Sequence, residues 1–194
     1  DREVFRREWT KMLYCYIVIF IILQLNNRHA SRTLLSMRIL GIDPGFATIG
    51  LGLIETQKNS MKVIDWCTIT TKPGLPFASR LAELAKDLQS YIDEHKPDLA
   101  VVEKIFFSNN QQTAIGVAHG RGVVLSLLGQ HNIEVLEPTP NELKLAIAGD
   151  GRADKKQVQA MVMRHLKLTE LPQPDDAADA LGLALFGAFQ HKWS

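Results

Sequence analysis

The chain has 194 residues, 46% of them hydrophobic, and a formal net charge of +1 at pH 7. Six of the 22 Lys and Arg and three of the 21 Asp and Glu lie in the first 36 residues, so residues 37–194 carry a net charge of −2. Net charge therefore gives no sign of a nucleic-acid-binding protein, and any basic surface must be local. One of the two cysteines, Cys67, lies in residues 37–194, which excludes a disulfide framework there and is typical of a reducing cytoplasm.

The first 36 residues differ in character from the rest. A basic stretch precedes an uncharged run of 14 residues, 12–25, whereas a membrane-spanning helix needs roughly 20 apolar residues. The run could belong to a signal or membrane anchor, or to another targeting segment. We favour a non-native upstream extension over residues 1–36, because MRILGIDPG at Met37 has the pattern of a complete first strand that starts at a methionine. The prediction is one domain over residues 37–194, long enough for a single hydrophobic core.

Three strand-like runs open this domain, separated by Gly45 and by the polar TQKNS. They are RILGID, IGLGLIE and KVIDWCTITT, at residues 38–43, 49–55 and 62–71. Apolar side chains then recur on one helical stripe over residues 77–96. The short apolar run LAVV that follows is typical of a strand buried on both faces of a sheet.

The remaining segments alternate between helix and strand. The pattern predicts a strand over 133–137 and helices over about 108–129, 139–148, 154–167 and 174–190. Three strands followed by alternating helices and strands favour an α/β fold, a ribonuclease H-like mixed five-stranded sheet with helices on both faces.

Two acidic residues stand at predicted strand ends. Asp43 ends the first strand, and Glu103 directly follows LAVV, which should be a central strand. Ligand sites of open α/β sheets collect at this end of the strands. Each residue alone has a simpler explanation, because Asp before Pro-Gly is a common turn former and Glu103 can pair with Lys104.

Two further acids share one face of the last predicted helix. Asp176 and Asp179 are three residues apart, and the helix is otherwise apolar from 177 to 189, as in a helix packed on a sheet. Acids in the first turn complement the helix dipole, which accounts for Asp175 and Asp176 but not for Asp179. A buried carboxylate without a partner is costly. No buried Lys or Arg lies nearby in sequence, so a bound metal is the simplest compensating cation.

These four carboxylates come without a histidine or thiolate. All-oxygen ligation selects hard cations, Mg²⁺ or Mn²⁺. Four carboxylates are enough for two ions per subunit, about 3.5–4 Å apart, which can activate a water and stabilise the leaving oxygen in phosphodiester cleavage. We therefore predict a catalytic, metal-binding set comprising Asp43, Glu103, Asp176 and Asp179.

The domain resembles the RuvC family of Holliday-junction resolvases over essentially all of residues 37–194. The matching stretches are LGIDPG at 40–45, VVEKIFF at 101–107, GRGV at 120–123, GDGRADKKQVQAMV at 149–162 and DDAADALGLAL at 175–185. The family's four catalytic acids match Asp43, Glu103, Asp176 and Asp179. The doubled Asp leaves Asp175 as an alternative for the third position, and the D-x-x-D spacing favours Asp176.

The resemblance implies a crossover junction endodeoxyribonuclease in recombination and repair. It implies a cytoplasmic homodimer that binds four-way junction DNA, cuts two opposing strands with two metal ions, works with a branch-migration motor and has no contact with a membrane. An aromatic after the catalytic Glu engages a base in the family, and Phe106 matches it, although a core position would also explain this residue. Lys144 matches a basic position of the family.

Three further residues are predicted to contact DNA phosphates. Arg152, Lys155 and Lys156 lie between glycines and a predicted helix start, where backbone donors and the helix dipole also favour anions. Simple exposure to solvent at a helix start is the alternative explanation for these residues and for Lys144.

Two other functions compete. A ribonuclease H-like nuclease of the YqgF type would act on RNA, but the GDGRADKKQV stretch and the D-x-x-D helix argue against it. A catalytically silent DNA-binding module would not need all four acids.

Overall fold

The computed structural model describes residues 36–58, 60–105 and 111–192. Its sheet has five strands in the order β3-β2-β1-β4-β5. The strands are β1 (Ser36–Asp43), β2 (Thr48–Gln57), β3 (Ser60–Thr70), β4 (Leu99–Val102) and β5 (Glu134–Leu136). β2 and β3 pair in antiparallel fashion, whereas β4 pairs in parallel with both β1 and β5. The sheet is therefore mixed, as predicted.

Five helices in the described ranges cover the sheet. They are α1 (Phe77–His95), α2 (Gln111–Gln130), α3 (Pro140–Ala148), α4 (Lys155–Leu166) and α5 (Asp175–Lys192). One hydrophobic cluster joins the sheet to α1 and α2, through residues such as Leu84 and Val124. A second cluster joins the opposite face to α3, α4 and α5, through residues such as Ile147 and Val162. The prediction of helices on both faces is confirmed.

Strand residues alternate between these two clusters, as the pleat requires. In β1, Leu40 and Ile42 belong to the cluster with α1 and α2, and Ile39 belongs to the cluster with α5. In β4, Ala100 and Val102 face the first cluster, and Leu99 and Val101 face the second. Odd-numbered residues of β1 and β4 therefore face α5.

Local capping sets the starts of the two short helices near the site. Thr139 caps α3 and forms a reciprocal pair of hydrogen bonds with Glu142, and Asp154 caps α4 in the same way with Gln157. Gly149 ends α3 in a left-handed conformation that favours glycine. These caps place residues 149–154 in a short connection between α3 and α4.

The predicted elements agree with the observed ones except at their ends. TQKNS is mostly strand, because β2 continues to Gln57 and β3 begins at Ser60, which leaves a much tighter connection than predicted. The extension predicted for residues 1–36 lies outside the described residues except for Ser36, and it stays a prediction. Within the described ranges, every helix is too short or too polar to cross a bilayer.

Candidate active site at the ends of β1 and β4

The register of the two central strands brings the first two predicted acids together. Ile42 lies opposite Val102 in the parallel pair of β1 and β4. The next residues, Asp43 and Glu103, therefore leave the sheet side by side at its carboxyl edge. Asp43 continues the odd-numbered face of β1, and Glu103 continues that of β4, so both point to the side of the sheet that α5 covers.

Three glycines allow α5 to lie directly on the strand backbones. A Cβ atom at Gly41 would lie 1.9 Å from the Ala180 carbonyl oxygen, and one at Gly50 would lie 2.0 Å from that of Asp176. A Cβ atom at Gly52 would lie 2.6 Å from the amide nitrogen of Leu181. No side chain fits in these spaces. The glycines thus bring the first turns of α5 against the sheet beside Asp43.

Electrostatic coupling shows that the four acids form one cluster. Burial, together with the charges of Asp179, Glu103 and Asp176, raises the pKa of Asp43 to about 7, and the charge of Lys155 opposes this rise. Carboxylates that repel one another in a buried site require a cation when all of them are ionised. The structure brings together the four acids that the sequence predicts.

Asp179 and Glu103, whose charges raise the pKa of Asp43 most, each interact with a lysine. Burial, followed by the charge of Asp179, raises the pKa of Glu103, and the charge of Lys144 on α3 lowers it. Burial also raises the pKa of Asp179, against a hydrogen bond from Lys155 that lowers it. The charge of Lys144 therefore acts on one acid of the cluster, and Lys155 is hydrogen-bonded to another.

Lys155, the first residue of α4, joins two carboxylates of α5. Its Nζ atom donates to Asp179 Oδ2 at 2.8 Å and also to Asp175 Oδ2. Burial alone would lower the pKa of Lys155, but these two hydrogen bonds outweigh it and raise the pKa above its ordinary value. No buried lysine or arginine lies near these acids in sequence, but the exposed Lys155 reaches Asp175 and Asp179 from 20 and 24 residues away.

Asp175 has a different environment from the other acids. Its side chain is 57% exposed, and Gln159 Nε2 donates to its Oδ1 atom at 2.8 Å. The hydrogen bond from Lys155 lowers the pKa of Asp175. Asp175 does not contribute to the pKa shift of Asp43, whereas Asp176 does.

The remaining predicted residues lie around this cluster or outside the description. Arg152 and Lys156 are exposed, in the connection before α4 and in its first turn. Asp154 accepts a hydrogen bond from the Gln157 amide at 2.8 Å, so this helix start already has an acceptor of its own. Phe106 lies in residues 106–110, outside the described residues.

The donor set fits a hard divalent cation, although not in the positions its side chains now hold. In the described ranges, no three Asp, Glu, His or Cys side chains could hold a metal ion as they stand. The ammonium of Lys155 occupies an oxygen of Asp179. The four acids offer only carboxylate oxygens as ligands, which suits a hard cation. Burial and the charges of the neighbouring carboxylates raise the pKa of Asp43, and a bound cation would oppose this rise.

Arg121 is a residue that sequence reasoning did not assign to the site. Its Nε atom donates to the backbone oxygen of Glu103 at 3.2 Å, and its guanidinium pairs with Glu137, just after β5. The adjacent Gly120 packs closely on the loop after β1, where a Cβ atom would lie 2.5 Å from the Gly45 oxygen. The GRGV stretch therefore holds α2 against the segments that follow β1 and β4. The one indication of this role in the sequence was that GRGV matches a stretch of the RuvC family.

Known proteins match this arrangement over most of the chain. The family model for crossover junction endodeoxyribonuclease RuvC matches residues 39–187. RuvC of Prochlorococcus marinus (strain MIT 9313) is 47% identical over 154 residues, covering 79% of this chain and 99% of that protein. RuvC of Thermotoga maritima is 44% identical over 157 residues, covering 81% and 94%.

A solved structure agrees with the sequence matches. T. thermophilus RuvC in complex with a Holliday junction substrate superposes with a TM-score of 0.76 at 30% identity, covering 81% of this chain and 96% of that one. The expected family and its ribonuclease H-like fold are confirmed. The chain therefore belongs to the RuvC family of crossover junction endodeoxyribonucleases.

Proposed function

We propose that this chain resolves four-way DNA junctions in recombination and repair, by metal-dependent hydrolysis of one phosphodiester bond in each of two opposing strands. The observation that carries the proposal is the cluster of four carboxylates contributed by the ends of β1 and β4 and by α5, in which burial and the charges of the other three acids raise the pKa of Asp43. Membership of a family of metal-dependent nucleases supports it. So does the junction bound to T. thermophilus RuvC.

Asp43, Glu103, Asp176 and Asp179 would hold the metal, which we propose to be two Mg²⁺ or Mn²⁺ ions per subunit. Such ions, when bound, supply an activated water and stabilise the charge on the leaving oxygen. The carboxylates orient the ions and must be ionised to do so. Asp176 is the better candidate for the third position than Asp175, because its charge acts on Asp43 while Asp175 pairs with Lys155 and Gln159.

The basic residues around the cluster would hold the DNA backbone. The charge of Lys144 on α3 lowers the pKa of Glu103, and Lys155 on α4 donates to Asp179. Their proximity to the acids supports the proposal that both lysines contact a DNA phosphate at the site. Arg152 and Lys156 extend this positive charge at the exposed rim. Because Asp154 caps α4, the phosphate contacts there are assigned to side chains rather than to the helix start.

Phe106 follows Glu103 by three residues. A base unstacked at the junction can stack on an aromatic ring, which is the role we propose for it. Paired cuts in two opposing strands need two active sites, which supports the proposal of a homodimer. A branch-migration motor as partner and a cytoplasmic location are part of the same proposal.

The test is cleavage of a synthetic four-way junction by the full chain. We expect paired, symmetric nicks with 5′-phosphate and 3′-hydroxyl ends that a ligase can seal. EDTA and Asp43→Asn should each abolish the nicks while junction binding remains. Asp87→Asn, at an exposed position of α1, is the matched control and should cleave normally.

Two outcomes would contradict the proposal. Binding without nicks in Mg²⁺ and in Mn²⁺ would indicate a silent DNA-binding module. Cleavage of RNA in preference to the junction would indicate a nuclease of the YqgF type.

A further inference from the structure

We propose that Asp175 is a positioning residue that holds the ammonium of Lys155 beside the carboxylate cluster, so that Lys155 is in place for the phosphate of the scissile strand. This inference rests on the proposed function, because it assigns a role within the same site. It also gives Asp175 a role of its own, different from that of Asp176, which the D-x-x-D spacing already favours as the metal ligand.

The contacts of Asp175 suit a support for Lys155. Lys155 Nζ donates to one carboxylate oxygen of Asp175, and Gln159 Nε2 donates to the other at 2.8 Å. Lys155 and Gln159 are four residues apart and so lie on the same face of α4. Asp175 therefore joins the first turn of α5 to one face of α4 and has both oxygens engaged.

Exposure argues against a mainly structural role. The side chains of Lys155 and Asp175 are 52% and 57% exposed. Ion pairs this exposed contribute little to the free energy of unfolding, because solvent screens them and ordering two flexible side chains opposes them. The contact matters instead because it determines where the ammonium lies.

The second partner of Lys155 explains why a support is needed. Lys155 also donates to Asp179 at 2.8 Å, and Asp179 is one of the proposed metal ligands. A cation and an ammonium compete for the same carboxylate oxygens. Once Asp179 serves a cation, Asp175 is the remaining carboxylate shown to hold Lys155 near the site.

The kinetic test uses single-turnover cleavage of a four-way junction. We expect Asp175→Asn to lower the cleavage rate about tenfold, because Lys155 loses its support and is misplaced. Junction affinity should change less than about threefold, because Lys155 keeps its charge. Asp175→Glu should restore part of the rate.

Two variants separate this role from a simple change of charge. Gln159→Met leaves every charge in place but removes one hydrogen bond to Asp175, and it should lower the rate in the same direction by a smaller factor. In a Lys155→Gln background, Asp175→Asn should have no further effect. An equal loss in both backgrounds would overturn the proposal, and so would wild-type cleavage by Asp175→Asn.

A measurement that does not depend on DNA cleavage distinguishes failure of this inference from failure of the proposed function. NMR relaxation of the Lys155 Cε methylene, in Mg²⁺ and without DNA, should show an ordered side chain in the wild type and a mobile one in Asp175→Asn. The exposed Lys86 of α1 is the internal reference and should be mobile in both. Equal mobility of Lys155 in the two proteins would overturn the proposal even if the wild type cleaves junctions.

Discussion

Asp43 and Asp175 are both aspartates, but their surroundings shift their pKa values in opposite directions. Asp43 ends β1 among three other carboxylates, and burial and repulsion raise its pKa to about 7. Asp175 begins α5 at the exposed rim, where the hydrogen bond from Lys155 lowers its pKa. The first site lacks enough positive charge of its own, while the second already has a cation from the chain. The uncompensated charge is thus what makes Asp43, and not Asp175, a candidate metal ligand.

The same substitution at the two aspartates should therefore have very different effects. We expect Asp43→Asn to lower the rate of junction cleavage roughly 1,000-fold, because it removes a ligand to the ions that stabilise the transition state. Asp175→Asn should cost far less, as argued above. Single-turnover rates of the two variants on one junction measure the difference, and equal losses would contradict it.

We expect the next largest effect from a substitution at one of the glycines on which α5 packs. Gly50→Ala places a methyl group where the Asp176 carbonyl oxygen lies, so α5 must move away from β2. We expect the free energy of unfolding to fall by about 3 kcal/mol and the folded protein to lose junction cleavage.

The matched control is the same change at an open position. A Cβ atom at Gly129 of α2 would meet nothing within 4 Å, so Gly129→Ala should leave cleavage unchanged and stability equal or slightly higher. Urea unfolding of the two variants measures the difference in their free energies of unfolding. Equal stability and activity of Gly50→Ala and Gly129→Ala would refute the role given to the glycines.

The raised pKa of Asp43 predicts how stability depends on pH without metal. Between its ordinary pKa of 3.8 and about 7, the folded protein keeps a proton that the unfolded chain has released. The free energy of unfolding should therefore fall as pH rises through this window, by an amount of order 4 kcal/mol. Glu103 and Asp179 shift in the same direction.

Urea unfolding in EDTA at pH 5 and pH 8 measures this dependence. Asp43→Asn should flatten it, since the amide does not titrate, and Mg²⁺ should raise stability more at pH 8 than at pH 5. A wild-type stability that rises with pH in EDTA, and does so equally in the variant, would count against the electrostatic description of the cluster.

The smallest effect concerns Arg121, which touches Glu103 only through its backbone oxygen. Arg121→Gln removes the ion pair with Glu137 and weakens the hold on the end of β4. We expect cleavage to fall roughly tenfold with junction affinity unchanged. Arg164→Gln, at an exposed position of α4, removes the same charge away from the site and should have no effect on the rate.

Sequence patterns alone were enough to predict the succession of strands and helices along the chain and to place Asp43 and Glu103 at strand ends. These features are local, because apolar periodicity and strand length are written in neighbouring residues. Asp176 and Asp179 were identified for the same reason, as charges on an otherwise apolar helix. The four acids that the sequence singled out are thus the four that meet in the structure, and their role as metal ligands stays a prediction.

Only the tertiary structure decided how those acids meet and what surrounds them. The close approach of α5 to the sheet depends on three strand glycines, which nothing in the sequence distinguishes from other strand residues. Only the structure shows that the backbone of α5 fills the space where their side chains would lie. Lys155 reaches Asp175 and Asp179 across 20 and 24 residues of chain. Contacts between residues so far apart depend on the packing of α4 against α5, which no local pattern in the sequence encodes.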